Sequence, residues 1–247
     1  MDEKLDRATV SVIMPAYNEE KYIETCFNRV VEVLGEYGQP FEIILEEDGS
    51  SDTTPMIMDK LGVEHPYAKV LHFPVRMGKG FGIRKCFEKA EGEYVVLIDS
   101  DMEYPPEKIP DLLDGIDGRD IVVGSRSIWK NRRDGKVKAL RVLLSGTYCM
   151  LVEKLFGVTL RDYQSGFKAF RRRVITAIQP LASNGFEIDS EILIKAQRKG
   201  FKIGFVPVTY TYKGESKVNI FLDSTKMFFS LLRWNVNGEL SHKTSKT

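Results

Sequence analysis

Tyr94-Val95-Val96-Leu97-Ile98-Asp99-Ser100-Asp101-Met102-Glu103-Tyr104-Pro105-Pro106 is the stretch on which the reading of the fold turns. Its apolar, β-branched start predicts a buried strand over Tyr94 to Asp99. The run stops at two carboxylates spaced i, i+2, which an extended chain can project to the same side. Two acids held that close repel each other unless a cation lies between them. Oxygen donors of this kind suit a hard divalent metal, with Glu103 as a further donor if the extended geometry persists. Taken alone, the same residues would serve equally as a polar strand end, with the prolines opening the next helix.

Working outward, the segments on either side repeat one pattern. Val10 to Pro15 reads as a buried strand and runs into Ala16-Tyr17-Asn18-Glu19-Glu20. A helical spacing follows through Ile23, Cys26, Phe27, Val30, Val31 and Leu34. Phe41 to Leu45 is a second strand, ending in Glu46-Glu47-Asp48-Gly49-Ser50-Ser51-Asp52, and Ala68 to Phe73 is a third. Gly78-Lys79-Gly80-Phe81-Gly82 opens a helix, Ile109 to Leu113 continues another, and Ile121 to Arg126 is a fifth strand. This alternation predicts an α/β fold, a mostly parallel sheet with helices on both faces. Ligands of such sheets gather beyond the carboxyl ends of the strands. The polar clusters at Pro15–Glu19, Glu46–Asp52, Asp99–Glu103 and Gly124–Arg126 all stand there.

The second half changes character. Lys130 to Lys138 is basic and without apolar periodicity, as expected of a loop. A helix follows through Leu140 and Leu155, then Asp162-Tyr163-Gln164-Ser165-Gly166-Phe167-Lys168-Ala169-Phe170, a helix entered at Gly185–Leu193, and a late strand from Phe201 to Val208. Ile220 to Val236 predicts a C-terminal amphipathic helix, and Ser241 to Thr247 is a polar tail. The expected division is a catalytic domain over 1–217 and a helix with tail over 218–247. With 43% hydrophobic and 29% charged residues the composition is that of a globular protein, and a net charge of +1 gives no global attraction to nucleic acid. Cys26, Cys86 and Cys149 have no metal-binding spacing and fit a reducing compartment. The opening MDEKLDRATV carries no export signal and no apolar run is long enough to cross a bilayer, so a cytoplasmic protein is expected, peripheral if it meets a membrane.

The chemistry of the clusters points to a nucleotide bearing a diphosphate. Gly78-Lys79-Gly80 lacks the spacing of a Walker loop, and no Gly-x-Gly-x-x-Gly follows the first strand, which disfavours a dinucleotide site. Tyr17 can stack on a base, and Glu47 or Asp48 can accept hydrogen bonds from base or ribose, although a turn aromatic and a helix cap would look the same.

Pro15-Ala16-Tyr17-Asn18-Glu19, Glu47-Asp48-Gly49-Ser50-Ser51-Asp52, Gly78-Lys79-Gly80 and Asp99-Ser100-Asp101 together resemble family 2 glycosyltransferases of the GT-A fold. Asp162 to Lys168 and Gly214-Glu215-Ser216-Lys217 are similar to the dolichol-phosphate mannose synthase group, so the resemblance runs from residue 10 to about 217. It implies that Pro15, Tyr17, Glu19, Leu45 (by its backbone), Glu47 and Ser100 line the nucleotide, with Lys79 among the substrate-binding residues. It implies that Asp99 and Asp101, with Glu103, hold Mg2+ or Mn2+ on the donor diphosphate. Arg126, Lys213 and Lys217 would meet phosphates, and Arg141 with Ser145 would engage the acceptor phosphate. Two positions depart from the group: Glu47 replaces an aspartate, and Thr211 stands where an arginine is expected. Lysine at 213 does not reproduce a bidentate guanidinium.

The implied reaction is an inverting transfer of a sugar, mannose from GDP-mannose by first expectation, onto dolichyl or polyprenyl phosphate. An alcohol acceptor would need a general base, for which Asp189 or Glu191 would be the candidates; a phosphate acceptor is already anionic. The rival readings are a UDP-sugar donor carrying glucose or an N-acetylhexosamine, a non-catalytic sugar-nucleotide-binding subunit, and a sugar-nucleotide-forming nucleotidyltransferase, whose glycine-rich first loop is missing. The expected partners are a nucleotide sugar, a polyprenyl phosphate and the cytosolic surface of a membrane, with a membrane-anchored subunit left open and Arg132 and Arg133 as auxiliary basic residues.

Overall fold

A computed structural model of the chain describes residues 9–126, 135–158, 162–211, 213 and 220–236. Its frame is one sheet of seven strands in the order β3-β2-β1-β4-β6-β5-β7. These are β1 (Val10–Ala16), β2 (Phe41–Asp48), β3 (Ala68–Phe73), β4 (Tyr94–Leu97), β5 (Ile121–Arg126), β6 (Lys168–Arg171) and β7 (Ile203–Val208). Strands β3, β2, β1 and β4 pair in parallel, as do β5 and β7. The exception is β6, which runs antiparallel to both β4 and β5 and separates them. Sequence reading takes Asp162–Phe170 as a motif and finds no strand there. The reason lies in its composition: β6 is four residues long and two of them are Lys168 and Arg171.

The helices are α1 (Ile23–Tyr37), α2 (Thr54–Glu64), α3 (Lys79–Lys89), α4 (Ile109–Asp114), α5 (Gly135–Phe156), α6 (Arg172–Ala177), α7 (Ile188–Arg198) and α8 (Ile220–Val236). Alternation along each strand gives two cores. Val12, Met14, Ile43, Leu45 and Val96 face Phe27, Val30 and Leu34 of α1, Met58 and Leu61 of α2, and Leu112 of α4. Ile13, Ile44, Val95 and Leu97 face Ile83 and Phe87 of α3, Tyr148 and Val152 of α5, and Ile192 of α7, with Met227, Leu231 and Trp234 of α8. Each such side chain contributes roughly 1.5–3 kcal/mol by leaving water. One face of α8 is in the core through Met227, Leu231 and Trp234, while Phe229, Leu232 and Val236 are 66%, 52% and 81% exposed. The expected boundary at 217/218 lies outside the described residues.

Ladder pairing of β4 ends at Leu97, two residues earlier than the expected strand end. Ile98 N–H still donates to Ile13 C=O at 3.0 Å, so the chain leaves the sheet in line and carries the acidic pair past its edge. The carboxyl ends of β1, β2, β4, β5 and β7 share that edge, and the antiparallel β6 begins there.

Candidate active site

The nucleotide side of this edge is held by side chains bonding to main chain. Ser50 Oγ accepts from Asn18 N–H at 2.9 Å, Thr54 Oγ1 from Glu19 N–H at 2.8 Å, and Asn18 Oδ1 from Ser51 N–H at 2.8 Å. These three bonds lace the loop after β1 to the loop after β2, with Asn18 in the left-handed region at φ 54°. Glu47 is buried; Ser50 N–H donates to one oxygen, and His72 Nδ1 stands 3.5 Å from the other, with Asp59 2.8 Å from Nε2. Asp48 accepts from Met77 N–H and Gly78 N–H, and the Arg76 guanidinium lies 4.0 Å above the Tyr17 ring. Arg76 and His72 thus join the expected Tyr17, Glu47 and Asp48. Leu45 stands inside the ladder between Met14 and Val70.

Between Leu45 and Glu47 on β2, Glu46 turns inward. Its two carboxyl oxygens are buried and have no hydrogen-bond partner among the described residues. Gly82 makes room for it, since a Cβ at that position would stand 2.2 Å from the carboxyl carbon. Burial pushes the Glu46 carboxyl up to about 9, and Asp48 and Glu47 add to the effect.

At the centre, Ser100 is buried and its hydroxyl donates to Pro15 C=O at 2.9 Å, fastening the acidic pair to the end of β1. Asp99 Oδ1 is 2.7 Å from Lys79 Nζ. The partly buried Asp101 accepts from Glu103 N–H at 2.9 Å. Burial first, then the charges of Asp99 and Glu103, push the Asp101 carboxyl up to about 7. The Glu103 carboxylate is turned to Tyr210, whose hydroxyl donates to it, and to Lys213 N–H at 3.2 Å. Thr211 N–H donates to Glu103 C=O at 2.9 Å. Among the described residues no three His, Cys, Asp or Glu side chains converge as a ready-made metal cage. The pair Asp99 and Asp101 nonetheless fits a hard divalent cation: its donors are all oxygen, and the mutual repulsion that lifts Asp101 is the kind a cation relieves. Sites of this type take one or two carboxylates and complete the shell with phosphate oxygens.

On the other side, Arg126 forks onto Asp162, Nε to Oδ2 at 2.9 Å and Nη2 to Oδ1 at 2.8 Å, with Tyr210 below its guanidinium. Arg126, expected to meet phosphate directly, therefore has a carboxylate partner that orients its plane. Neither base candidate faces the edge. Asp189 is buried between Lys168 and Lys79, and Glu191 accepts from Ala182 N–H and Ser183 N–H while pairing with Lys195 at 2.7 Å. Arg141 and Ser145 belong to α5, but their side chains, like Arg132, Arg133 and Lys217, lie outside the described residues. Lys168, Tyr210, Arg76 and His72 are the additions that sequence reading misses; a lysine within an apolar run, as at Phe167-Lys168-Ala169-Phe170, is the signal that points to the first.

A sheet of this order, with an acidic pair carried past the end of β4, defines a GT-A fold. The profile of glycosyl transferase family 2 matches residues 11–178, and the chain belongs to that family. It is 34% identical over 227 residues to the glycosyltransferase AglD of Haloferax volcanii, covering 91% of this chain and 36% of that protein. It is 33% identical to the dolichol-phosphate mannosyltransferase of Pyrococcus furiosus, covering 91% of this chain and 64% of the relative. The chain thus spans between about a third and two thirds of the length of these two relatives. Among solved structures, glucosyl-3-phosphoglycerate synthase of Mycobacterium tuberculosis with Mn2+ and UDP-glucose superposes with a TM-score of 0.68 at 25% identity, covering 94% of this chain and 80% of that one.

Proposed function

We propose that this chain is an inverting glycosyltransferase that moves a sugar from a nucleoside diphosphate onto a polyprenyl phosphate. The observation that carries the choice of acceptor is the commitment of the buried Asp189 and Glu191 to lysines and, for Glu191, to main-chain N–H groups. A site whose two candidate bases are occupied suits an acceptor that arrives already ionised. The name of the Pyrococcus relative, a dolichol-phosphate mannosyltransferase, is consistent with that class.

Tyr17, Arg76 and Glu47 receive the base and ribose, with Pro15, Glu19, Leu45 and Ser100 lining the nucleotide. Asp101 and Asp99 would hold Mg2+ or Mn2+, which would supply neutralisation of the charge that grows on the departing diphosphate. Glu103, fixed by Tyr210, adds negative charge beside Asp101. Arg126, held flat by Asp162, faces the phosphates with Lys213, and Arg141, Ser145 and Lys217 complete acceptor binding. GDP-mannose is the first donor to test. A UDP-sugar is the second reading, favoured by Glu47 and Thr211 at the two departures and by the Mycobacterium neighbour, solved with UDP-glucose. A non-catalytic sugar-nucleotide binder is the reading of another class.

For membrane contact, what supports the reading is the outer face of α8. Phe229, Leu232 and Val236 recur at i, i+3 and i+7 and are all exposed. No helix among the described residues is long and apolar enough to cross a membrane. A surface contact at the cytosolic face fits that pattern.

The test is a thermal-shift panel of GDP- and UDP-sugars with Mg2+ or Mn2+, followed by transfer of labelled sugar to a polyprenyl phosphate or to the corresponding alcohol. Transfer to the phosphate alone is the expected result. Transfer to the alcohol would overturn the acceptor assignment, and binding without transfer would favour the silent binder.

A further inference from the structure

Four charged side chains form one line from the interior to the acidic pair. Lys168, fully buried on β6, donates to Ser165 C=O and pairs with Asp189 Oδ1. The other Asp189 oxygen is 3.3 Å from Lys79 Nζ, and Lys79 Nζ is 2.7 Å from Asp99 Oδ1. Main chain fixes both ends. Gly78 and Gly80 let the start of α3 close on residues 183–185: added Cβ atoms would stand 2.3 Å from Asn184 O and 2.5 Å from Ser183 O. Gly166 approaches Asp99 so nearly that a Cβ there would stand 1.9 Å from Oδ2.

We propose that Asp189 is a positioning residue: by bridging Lys79 and Lys168 it fixes Lys79 on Asp99 and sets the charge that the donor diphosphate and its divalent cation meet at the acidic pair. This rests on the reading of Asp99 and Asp101 as the diphosphate-metal anchor. Two carboxylates and two ammonium groups sum to zero along the line, so the metal meets an Asp99 already half neutralised and an Asp101 that is not. Buried ion pairs are expensive to assemble, and apolar residues of the same volume often serve stability as well. A line of them that ends on the acidic pair has an electrostatic consequence at the site that apolar packing would lack. Asp189 cannot double as a base, because both oxygens are engaged by ammonium groups.

The proposal predicts opposite signs from neighbouring substitutions. Asp189→Asn leaves two lysines facing one carboxylate, adds one positive charge beside the site, and weakens Mn2+ binding about fivefold to tenfold. Lys168→Met leaves Asp189 to compete for Lys79, frees Asp99, and tightens Mn2+ by a similar factor. Lys79→Met, at the cleft end of the line, also tightens Mn2+ and is the substitution least dependent on the interior.

The experiment measures free Mn2+ by electron paramagnetic resonance on the full chain, with GDP or UDP present, alongside a melting curve for each variant. Weakening in Asp189→Asn with tightening in Lys79→Met or Lys168→Met is the expected result. Weakening in all three, or no change in any, overturns the positioning role while leaving the metal reading intact. Wild-type protein that binds no Mn2+ with either nucleotide overturns the metal reading and the proposal together.

Discussion

The half of the sheet from β1 to β4 and the half from β5 to α8 reach the same edge by different means. In the first, each strand delivers its polar cluster to the loop directly after it, and short side-chain-to-main-chain bonds fasten loop to loop. In the second, an antiparallel strand and buried charges reach back across the sheet: Lys168 and Asp189 act on Lys79 and Asp99, and Asp162 acts on Arg126. The first half places groups by local chain geometry. The second tunes them by electrostatics over long sequence separations.

Asp101→Ala gives the largest effect expected. It lies where the two halves meet, and transfer should fall about 10²–10³-fold with little change in melting temperature, because the side chain ends at the cleft rather than in the core. Retained transfer would remove the acidic pair from the chemistry. Glu46→Gln tests the first half alone. The Glu46 carboxyl is raised when folded, so the native state keeps a proton that the unfolded chain releases. Stability from this group is complete below the ordinary carboxylate range and is lost as pH rises toward about 9. The glutamine variant should therefore be more stable at pH 8 by about 2–3 kcal/mol and flatter in stability between pH 5 and 9, as urea titrations across that range would report. An unchanged pH slope would mean that Glu46 is ionised in the folded chain.

Gly166→Ala tests the contact between halves. A methyl group at 166 would stand 1.9 Å from Asp99 Oδ2 and must displace Asp99 or the loop, costing about 1–3 kcal/mol of stability and weakening Mn2+ binding. Normal metal affinity in this variant would show that Asp99 can be moved without consequence. The smallest effect concerns the outer face of α8. Replacing Phe229, Leu232 and Val236 together with serine should lower partition onto anionic liposomes severalfold and leave the melting temperature nearly unchanged, since all three are exposed. Equal partition would place the lipid contact elsewhere. Deleting the whole helix is a poorer test, because Met227, Leu231 and Trp234 belong to the core.

The same contrast explains what the amino-acid sequence reveals. β1 to β5 with their helices are legible because apolar runs alternate with helical spacing; Asp99, Asp101 and Tyr17 are legible because each follows its strand, and Glu47 because it stands where the apolar run of β2 has already ended. β6 is not, because Lys168 and Arg171 break its hydrophobicity and its role depends on partners twenty or more residues distant, such as Asp189. The same blindness applies to Asp162 beneath Arg126 and to Tyr210 on Glu103, pairings 36 and 107 residues apart. Residues that act where the chain turns can be read in order. Residues that act on other side chains need the tertiary fold.

The reversed direction of β6 carries one more consequence. β5 ends at the edge where β6 begins, so Arg126 and Lys168 stand on the same rim although 41 residues separate them. The segment between them can be lengthened, shortened or exchanged without re-threading a strand. Gly166, at its described end, closes on Asp99, while the nucleotide loops belong to other strands. The two ends of that segment are tied to the site by Asp162 on Arg126 and by Gly166 against Asp99, while the loops after β1 and β2 are fastened to each other and to Ser100.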